Sequence, residues 1–251
     1  MQTIETLLNH KTIRNYKSDP IDEEILNIIL EAGFRASTTG NMQVYSVIVT
    51  RDQEKRNELC KMHFGQKMVE QAPVLLTFCA DFNRFNKWCE QREAEPGYDN
   101  FLSFFTAAID ALLVAQNAAV AAEAYGLGIC YLGTTTYQAD KLIDFFDLPK
   151  GVVPITTLVV GYPAEDPEKA DRLPAKGVVH YEKYIDYTSA DIDDIYQEKE
   201  NLELTAKLLE ENQLKTLAQI FTQKRYTKKD NIHFSKAFLR VIEEQGFMNN
   251  G

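Results

Sequence analysis

Apolar residues recur at helical spacing in some stretches of the chain and gather into short unbroken runs in others, and the two patterns alternate. Residues 3–9 form a short amphipathic stretch leading into His10-Lys11-Thr12-Ile13-Arg14. Asp19-Pro20-Ile21-Asp22 gives a stop and then a start, and Ile21, Ile25, Ile28 and Ile29 mark one face of a helix predicted to run to about Arg35. After the polar loop Ser37-Thr38-Thr39-Gly40-Asn41, residues 44–50 read as a strand and 52–62 as a helix. The run 74–79, bounded by Pro73 and Asp81, has the pattern of a buried strand. An irregular stretch containing Pro96-Gly97 precedes a long Ala-rich helix over 101–125, closed by Gly126-Leu127-Gly128, which tolerates left-handed backbone. Strands over 129–132 and 155–160 flank a helix over 138–146. Strands separated by helices, with no tight hairpin signal, predict a central sheet covered by helices.

The Ala-rich helix is the one candidate for a membrane span. Asp110, Gln116, Asn117 and Glu123 interrupt it, and its longest charge-free run, 111–122, falls short of the roughly 30 Å of hydrocarbon a span must cross. A helix apolar almost all round is instead a central buried helix, or one shared with a second subunit.

Composition narrows the picture further. With 251 residues, 45% of them hydrophobic and 25% charged, the chain can build a full core, and extended disorder is excluded. A net charge of −10 makes general binding to nucleic acid or an anionic membrane repulsive. The four cysteines, 60, 79, 89 and 130, include no C-x-x-C pair, and the four histidines are equally dispersed, so no closed zinc site is expected. Cys60, Cys79 and Cys130 sit in apolar contexts, as small buried hydrophobes do. The first residues show no basic-then-apolar signal pattern, and a reduced, cytoplasmic protein is expected. After about Tyr184 the character changes to an acidic stretch over 191–211 and a basic one over 221–240. The expected organisation is therefore a core over 1–184 and a C-terminal helical extension over 185–251.

Three loops carry candidate chemistry. His10-Lys11-Thr12-Ile13-Arg14 groups cations and a hydroxyl just past a helix end, where they suit a phosphate, although such residues also complement a helix dipole. Gly126 to Thr134 is a strand leaving a glycine turn and ending in Gly133-Thr134, whose backbone N–H groups suit a flat ligand or a phosphate. It is neither a Gly-x-Gly-x-x-Gly dinucleotide motif nor a phosphate-cradling P-loop. The third loop, 161–174, is rigid and charged, with Lys169 and Arg172 placed to reach an anion or simply to solvate a surface connection. Nucleophilic catalysis has little to build on: His63 follows Cys60 by three residues without an acid partner, and no Gly-x-Ser-x-Gly elbow occurs.

These loops occur in an order and spacing that resembles the nitroreductase family, most closely its larger oxygen-insensitive NADPH nitroreductase and flavin reductase branch. The resemblance runs from about residue 3 to 181. It includes Ser37-Thr38-Thr39 with Gln43, Gly65-Gln66-Lys67 before Gln71-Ala72-Pro73, Ala115-Gln116-Asn117, Tyr131-Leu132-Gly133, Gly161-Tyr162-Pro163-Ala164 and Arg172-Leu173-Pro174. It implies an α+β fold with a central mixed sheet flanked by helices, in an entwined homodimer holding FMN at the subunit interface. His10, Lys11, Thr12 and Arg14 would bind the FMN phosphate and ribityl chain, with Lys169 and Arg172 closing on the phosphate. Gln66 would meet the isoalloxazine ring, Tyr131, Leu132 and Gly133 would line it, and Ser37, Thr38 and Thr39 would serve the flavin of the other subunit. Lys11 or Gln66 is the donor expected at the flavin's N1–C2 carbonyl edge.

The implied activity is transfer of hydride from NADPH or NADH through flavin N5 to nitroaromatic, quinone or flavin acceptors in a ping-pong cycle, with no catalytic side chain. An FMN-binding sensor with little turnover, or a specialised dehalogenase or diaphorase of the same fold, are the alternatives. The chain departs from the family pattern in three places. Lys11-Thr12 stands where Arg-Ser is usual, Gly133-Thr134 where Gly-Gly is frequent, and Ala170-Asp171-Arg172 where Lys-Pro-Arg is typical. Arg225 is the nearest counterpart of the arginine that reads the NADPH 2′-phosphate.

Overall fold

The structure, a computed structural model, describes residues 2–249; Met1, Asn250 and Gly251, which the expected two-part division takes in, lie outside the described residues. Its helices are α1 (Gln2–Leu8), α2 (Glu23–Phe34), α3 (Gln53–Met62), α4 (Met68–Gln71), α5 (Asn83–Glu90), α6 (Phe101–Ala124), α7 (Thr134–Tyr137), α8 (Ala139–Phe145), α9 (Ser189–Glu200), α10 (Glu203–Asn212), α11 (Leu217–Ile220) and α12 (Lys228–Glu244). The strands are β1 (Tyr45–Thr50), β2 (Val74–Asp81), β3 (Gly128–Leu132) and β4 (Val152–Gly161). The chain divides into two compact units, one running to Lys169 and resuming at Phe234, the other spanning Ala170–His233.

In the first unit the four strands pair in the order β1-β2-β4-β3, every pair antiparallel. The parallel component of the expected mixed sheet is a single bridge, Thr12 with Ile129. β2 is buried along its whole length, and its alternate residues feed two cores, as the two-residue period of a strand requires. Val74, Leu76 and Phe78 join Leu158 and Val160 against α2 and α6. Leu75 joins Val159, Cys130 and Leu132 on the other side, against Leu59, Val69 and Leu142. Between the two central strands the buried hydroxyls of Thr77 and Thr157 lie 3.1 Å apart, and Thr135 donates to Thr157 at 3.0 Å, so the polar groups inside the sheet satisfy one another.

Helix α2 starts at Asp22, whose carboxylate caps the Glu24 N–H, and it buries Leu26, Ile29 and Gly33. Ile28, expected on that face, points outward, because α2 is turned toward α6 through Gly33. A Cβ there would come within 3.2 Å of the Val114 carbonyl, and the small residue permits the approach. Helix α5 falls in the stretch expected to be irregular; it is short, and Phe82 at its start provides no side-chain cap. Helix α6 is long and apolar enough to cross a membrane by length and composition, yet half of its apolar window is buried within the molecule. Its alanines 107, 111, 115, 118, 119 and 122 are buried together with Phe104 and Val114, while Phe101, Leu102, Phe105, Ile109, Leu112 and Leu113 are exposed. The last part of the first unit, from Phe234, packs Phe238, Val241, Ile242 and Phe247 with Val44, Phe82, Phe104 and Val153.

The second unit is helical. Thr188 with Asp191 and Thr216 with Gln219 form reciprocal capping boxes at the starts of α9 and α11. A π-helical turn, Phe221–Arg225, follows α11.

Candidate functional site

The cationic segment after α1 lies alongside β3. Ile13 N–H donates to the Ile129 carbonyl at 2.9 Å, and Gly128 makes this approach possible, since a Cβ there would fall 2.6 Å from the Ile13 side chain. The loop after β4 clamps the segment from the other side: Tyr16 bridges Pro163, Lys17 N–H donates to Tyr162 and Ala164 N–H to Asn15. Glu165 completes the clamp by accepting from the backbone N–H of Arg14 at 2.6 Å and of Asn15 at 3.0 Å, and from the Asn15 side chain. Those N–H groups hold the Glu165 carboxyl below the usual carboxylate range.

The side chains of the segment diverge in their partners. His10 Nδ1 meets Glu123 Oε1 at 2.7 Å, and Lys11 Nζ pairs with Asp166 at 2.6 Å. The Arg14 guanidinium is exposed and makes no ion pair among the described residues. It lies close enough to Cys130 to oppose the upward push that burial gives that thiol. Thr12 supplies the parallel bridge to Ile129. Lys169 reaches the Leu8 carbonyl at the end of α1, at 3.5 Å.

Beyond β3 the structure brings Gln66 to Thr134: Gln66 Nε2 donates to Thr134 Oγ1 at 3.3 Å and to the His63 carbonyl at 3.1 Å. Leu132 is buried, Tyr131 is half-buried with its phenol 3.4 Å from Gln116 Oε1, and burial raises the Tyr131 pKa. Gly133 is exposed, and a Cβ placed there would meet nothing within 4 Å, so open space lies over the end of β3. One strand thus carries the cationic segment along its length and Gln66 at its far end.

Ser37, Thr38 and Thr39 form a separate loop before and within the turn Thr39–Asn41; Thr39 N–H donates to Asp110 Oδ1 at 3.0 Å. Arg172 belongs to the second unit, where its guanidinium donates to the carbonyls of Ala170 and Asp171. The carboxylate of Asp171 is taken by Lys199 at 2.6 Å, which leaves Arg172 unpaired by its acidic neighbour. Arg225, also in the second unit, is exposed and lies 5.8 Å over the Phe221 ring.

Several residues here escape the sequence. Glu165 and Asp166 read as ordinary loop acids, and Glu123 and Asp110 as interruptions of an apolar helix. Asp110 is fully buried, with Oδ2 unpartnered. The nucleophile alternative gains no support: burial raises the Cys60 thiol pKa and brings His63 down to about 4. All four cysteines are free and buried.

The family model described as "Nitroreductase family" matches residues 7–162. The chain is 36% identical over 184 residues to the "FMN reductase (NADPH)" of Bacillus subtilis, covering 72% of this chain and 74% of that protein. It is 35% identical over 182 residues to the "Oxygen-insensitive NADPH nitroreductase" of Salmonella typhimurium, with 72% and 74% covered. A solved putative oxidoreductase from Bacteroides fragilis superimposes with a TM-score of 0.96 at 55% identity, covering 98% of this chain and all of that one.

Proposed function

The chain belongs to the nitroreductase family, and from that premise we propose that it binds FMN and uses NADPH or NADH to reduce small-molecule acceptors such as nitroaromatics, quinones or free flavin. The observation that carries this reading is the arrangement along β3: an exposed, unpaired Arg14 beside the strand, and open space over Gly133 next to Gln66 at its end. A ligand with an anionic tail and a flat ring suits that donor set, and FMN is such a ligand. Held by these residues, FMN would supply the hydride chemistry between nicotinamide and acceptor, which no side chain of the protein needs to provide.

The protein's own residues bind and orient. Arg14 supplies a forked donor for phosphate. Lys11 supplies a point charge once Asp166 yields, and Asp166 is 88% exposed, so the pair exchanges readily. Thr12, with His10 held by Glu123, lines the same segment. Lys169 adds a cation from the loop after β4. Ser37, Thr38 and Thr39 hydrogen-bond to none of the other proposed FMN-binding residues among the described residues, Thr39 N–H going to Asp110 instead, which suits a role at the site of a second copy.

The outer face of α6 supports reading the protein as a homodimer: Phe101, Leu102, Phe105, Ile109, Leu112 and Leu113 are each at least 40% exposed there. Apolar exposure on that scale marks a covered surface. Four free cysteines accord with a reduced, cytoplasmic setting.

The test is spectroscopic. The purified protein, or the protein incubated with excess FMN and desalted, should be yellow and bleach on anaerobic mixing with NADPH or NADH, recovering its colour when an acceptor is added. A preparation that stays colourless overturns the proposal, as does bound flavin that neither nicotinamide bleaches. Comparing KM for NADPH and NADH in Arg225→Ala assigns the 2′-phosphate contact: a selective rise for NADPH supports it, and equal changes remove it.

A further inference from the structure

The turn after α3 contains two consecutive residues in the left-handed region, Phe64 (φ 57°) and Gly65 (φ 70°). A bulky aromatic adopts that backbone only where its surroundings impose it. The turn folds Gln66 back over the end of α3, with Gly65 N–H on the Cys60 carbonyl at 2.8 Å and Gln66 N–H on the His63 carbonyl at 3.3 Å. The side chain follows the backbone, and Nε2 sits 3.1 Å from that same His63 carbonyl. A carbonyl only accepts, so the atom facing it is the amino end of the carboxamide. The second N–H points to Thr134 Oγ1. Both donors are engaged, one within the turn and one by Thr134, and Oε1 accepts no hydrogen bond among the described residues.

Thr134 is fixed in turn. Its Oγ1 lies 2.7 Å from His63 Nδ1, and having accepted from Gln66 it has its hydroxyl hydrogen free for that nitrogen. The His63 side chain is fully buried and its Nε2 has no partner among the described residues, so among them the contact with Thr134 is the one polar interaction its ring keeps. Burial keeps the imidazole neutral down to about pH 4, so its charge does not change across the neutral range.

We propose that His63 and Thr134 are positioning residues that hold Gln66 with its carboxamide oxygen outward, making Gln66 a hydrogen-bond acceptor for the ring N–H of bound oxidised FMN. This rests on the FMN reading above and refines it. The donor at the ring's carbonyl edge is then not Gln66 but falls to Lys11 or a backbone N–H. A glycine at 134, frequent in the family pattern, offers no hydroxyl, so this second hold on the Gln66 amino group, beside the His63 carbonyl, belongs to chains like this one that carry Thr134.

Titration of oxidised FMN into the flavin-free protein, read by fluorescence quenching and by the visible spectrum of the bound flavin, tests the assignment. Gln66→Ala and Thr134→Val should each weaken binding by about five- to tenfold, a magnitude set by one lost hydrogen bond. The double variant should bind no more weakly than Gln66→Ala, and Thr134→Ser should restore both affinity and spectrum. FMN methylated at its ring N–H should lose about fivefold in affinity for the wild type and nothing for Gln66→Ala. Multiplying losses in the double variant, an unchanged Thr134→Val, or an equal penalty for the methylated flavin in both proteins would overturn the assignment. Failure of the wild type to bind FMN at all would instead remove the functional reading, and it is seen before any variant is made.

Discussion

The two ends of the candidate site are built on opposite principles. Along β3, the cationic segment is held by its backbone: Glu165 and the Ile129 carbonyl grip N–H groups, and the charged tips of Lys11 and Arg14 are left to solvent or to an exposed acid. Beyond β3, the Gln66 side chain is held by the His63 carbonyl and the Thr134 hydroxyl, neither of them charged, and the histidine behind them is buried. Charge recognition acts over several ångströms and tolerates mobile tips, whereas the polarity of one hydrogen bond has to be set by neighbours that cannot turn. On the proposed reading, the first end is suited to select for charge and the second for chemical identity.

Acid should break the comparison most strongly, because only the neutral end depends on an imidazole staying uncharged. The folded pKa of His63 is about 4 against an ordinary value of 6.5. Between those values the unfolded chain takes up a proton that the folded chain refuses, so stability is full above about pH 6.5 and falls as the pH drops toward 4. Integrated over that window, the loss from His63 is about 3 kcal/mol. Denaturant unfolding from pH 7 to pH 4 should show this slope in the wild type and a flatter one in His63→Asn. Parallel profiles would show that His63 does not titrate in this range.

Removing the free charge tests the other end. Arg14→Ala should raise the Kd for FMN about 10- to 100-fold, as expected for a charge-assisted contact worth about 1.5–3 kcal/mol. The loss should shrink at high salt. Riboflavin, which lacks the phosphate, should bind wild type and variant within about twofold of each other. A comparable loss for riboflavin would place Arg14 at the ring rather than at the tail.

Much of this was legible before the structure. Strand positions followed from apolar runs, and the cationic segment announced itself as a cluster within five residues. What stayed hidden has physical reasons. Ile28 satisfies the helical period as well as Leu26 does, and only the approach of α6 through Gly33 decides between them. Thr134 and His63 stand 71 residues apart, and neither carries a local signal of the other. Asp171 departs from the family pattern beside Arg172, and nothing local shows that its partner is Lys199, in a helix 28 residues further on. Periodicity reports which face is buried; it does not report which polar groups meet across the fold.

The smallest expected effect sharpens the comparison by adjusting the charged end without dismantling it. Lys11 is shared between a future anion and Asp166, and exposed pairs of this kind contribute about 0–1 kcal/mol. Asp166→Asn should therefore leave Tm nearly unchanged while releasing Lys11, and FMN should bind about two- to fivefold more tightly at low salt, the gain fading as ionic strength rises. Glu165→Gln, one residue earlier, should behave differently. It retains one acceptor but loses the charge-assisted grip on the Arg14 and Asn15 N–H groups, so it should lower Tm and weaken FMN through a loosened segment. If the two substitutions act alike, the segment is governed by net charge alone, and its backbone clamp contributes nothing to recognition.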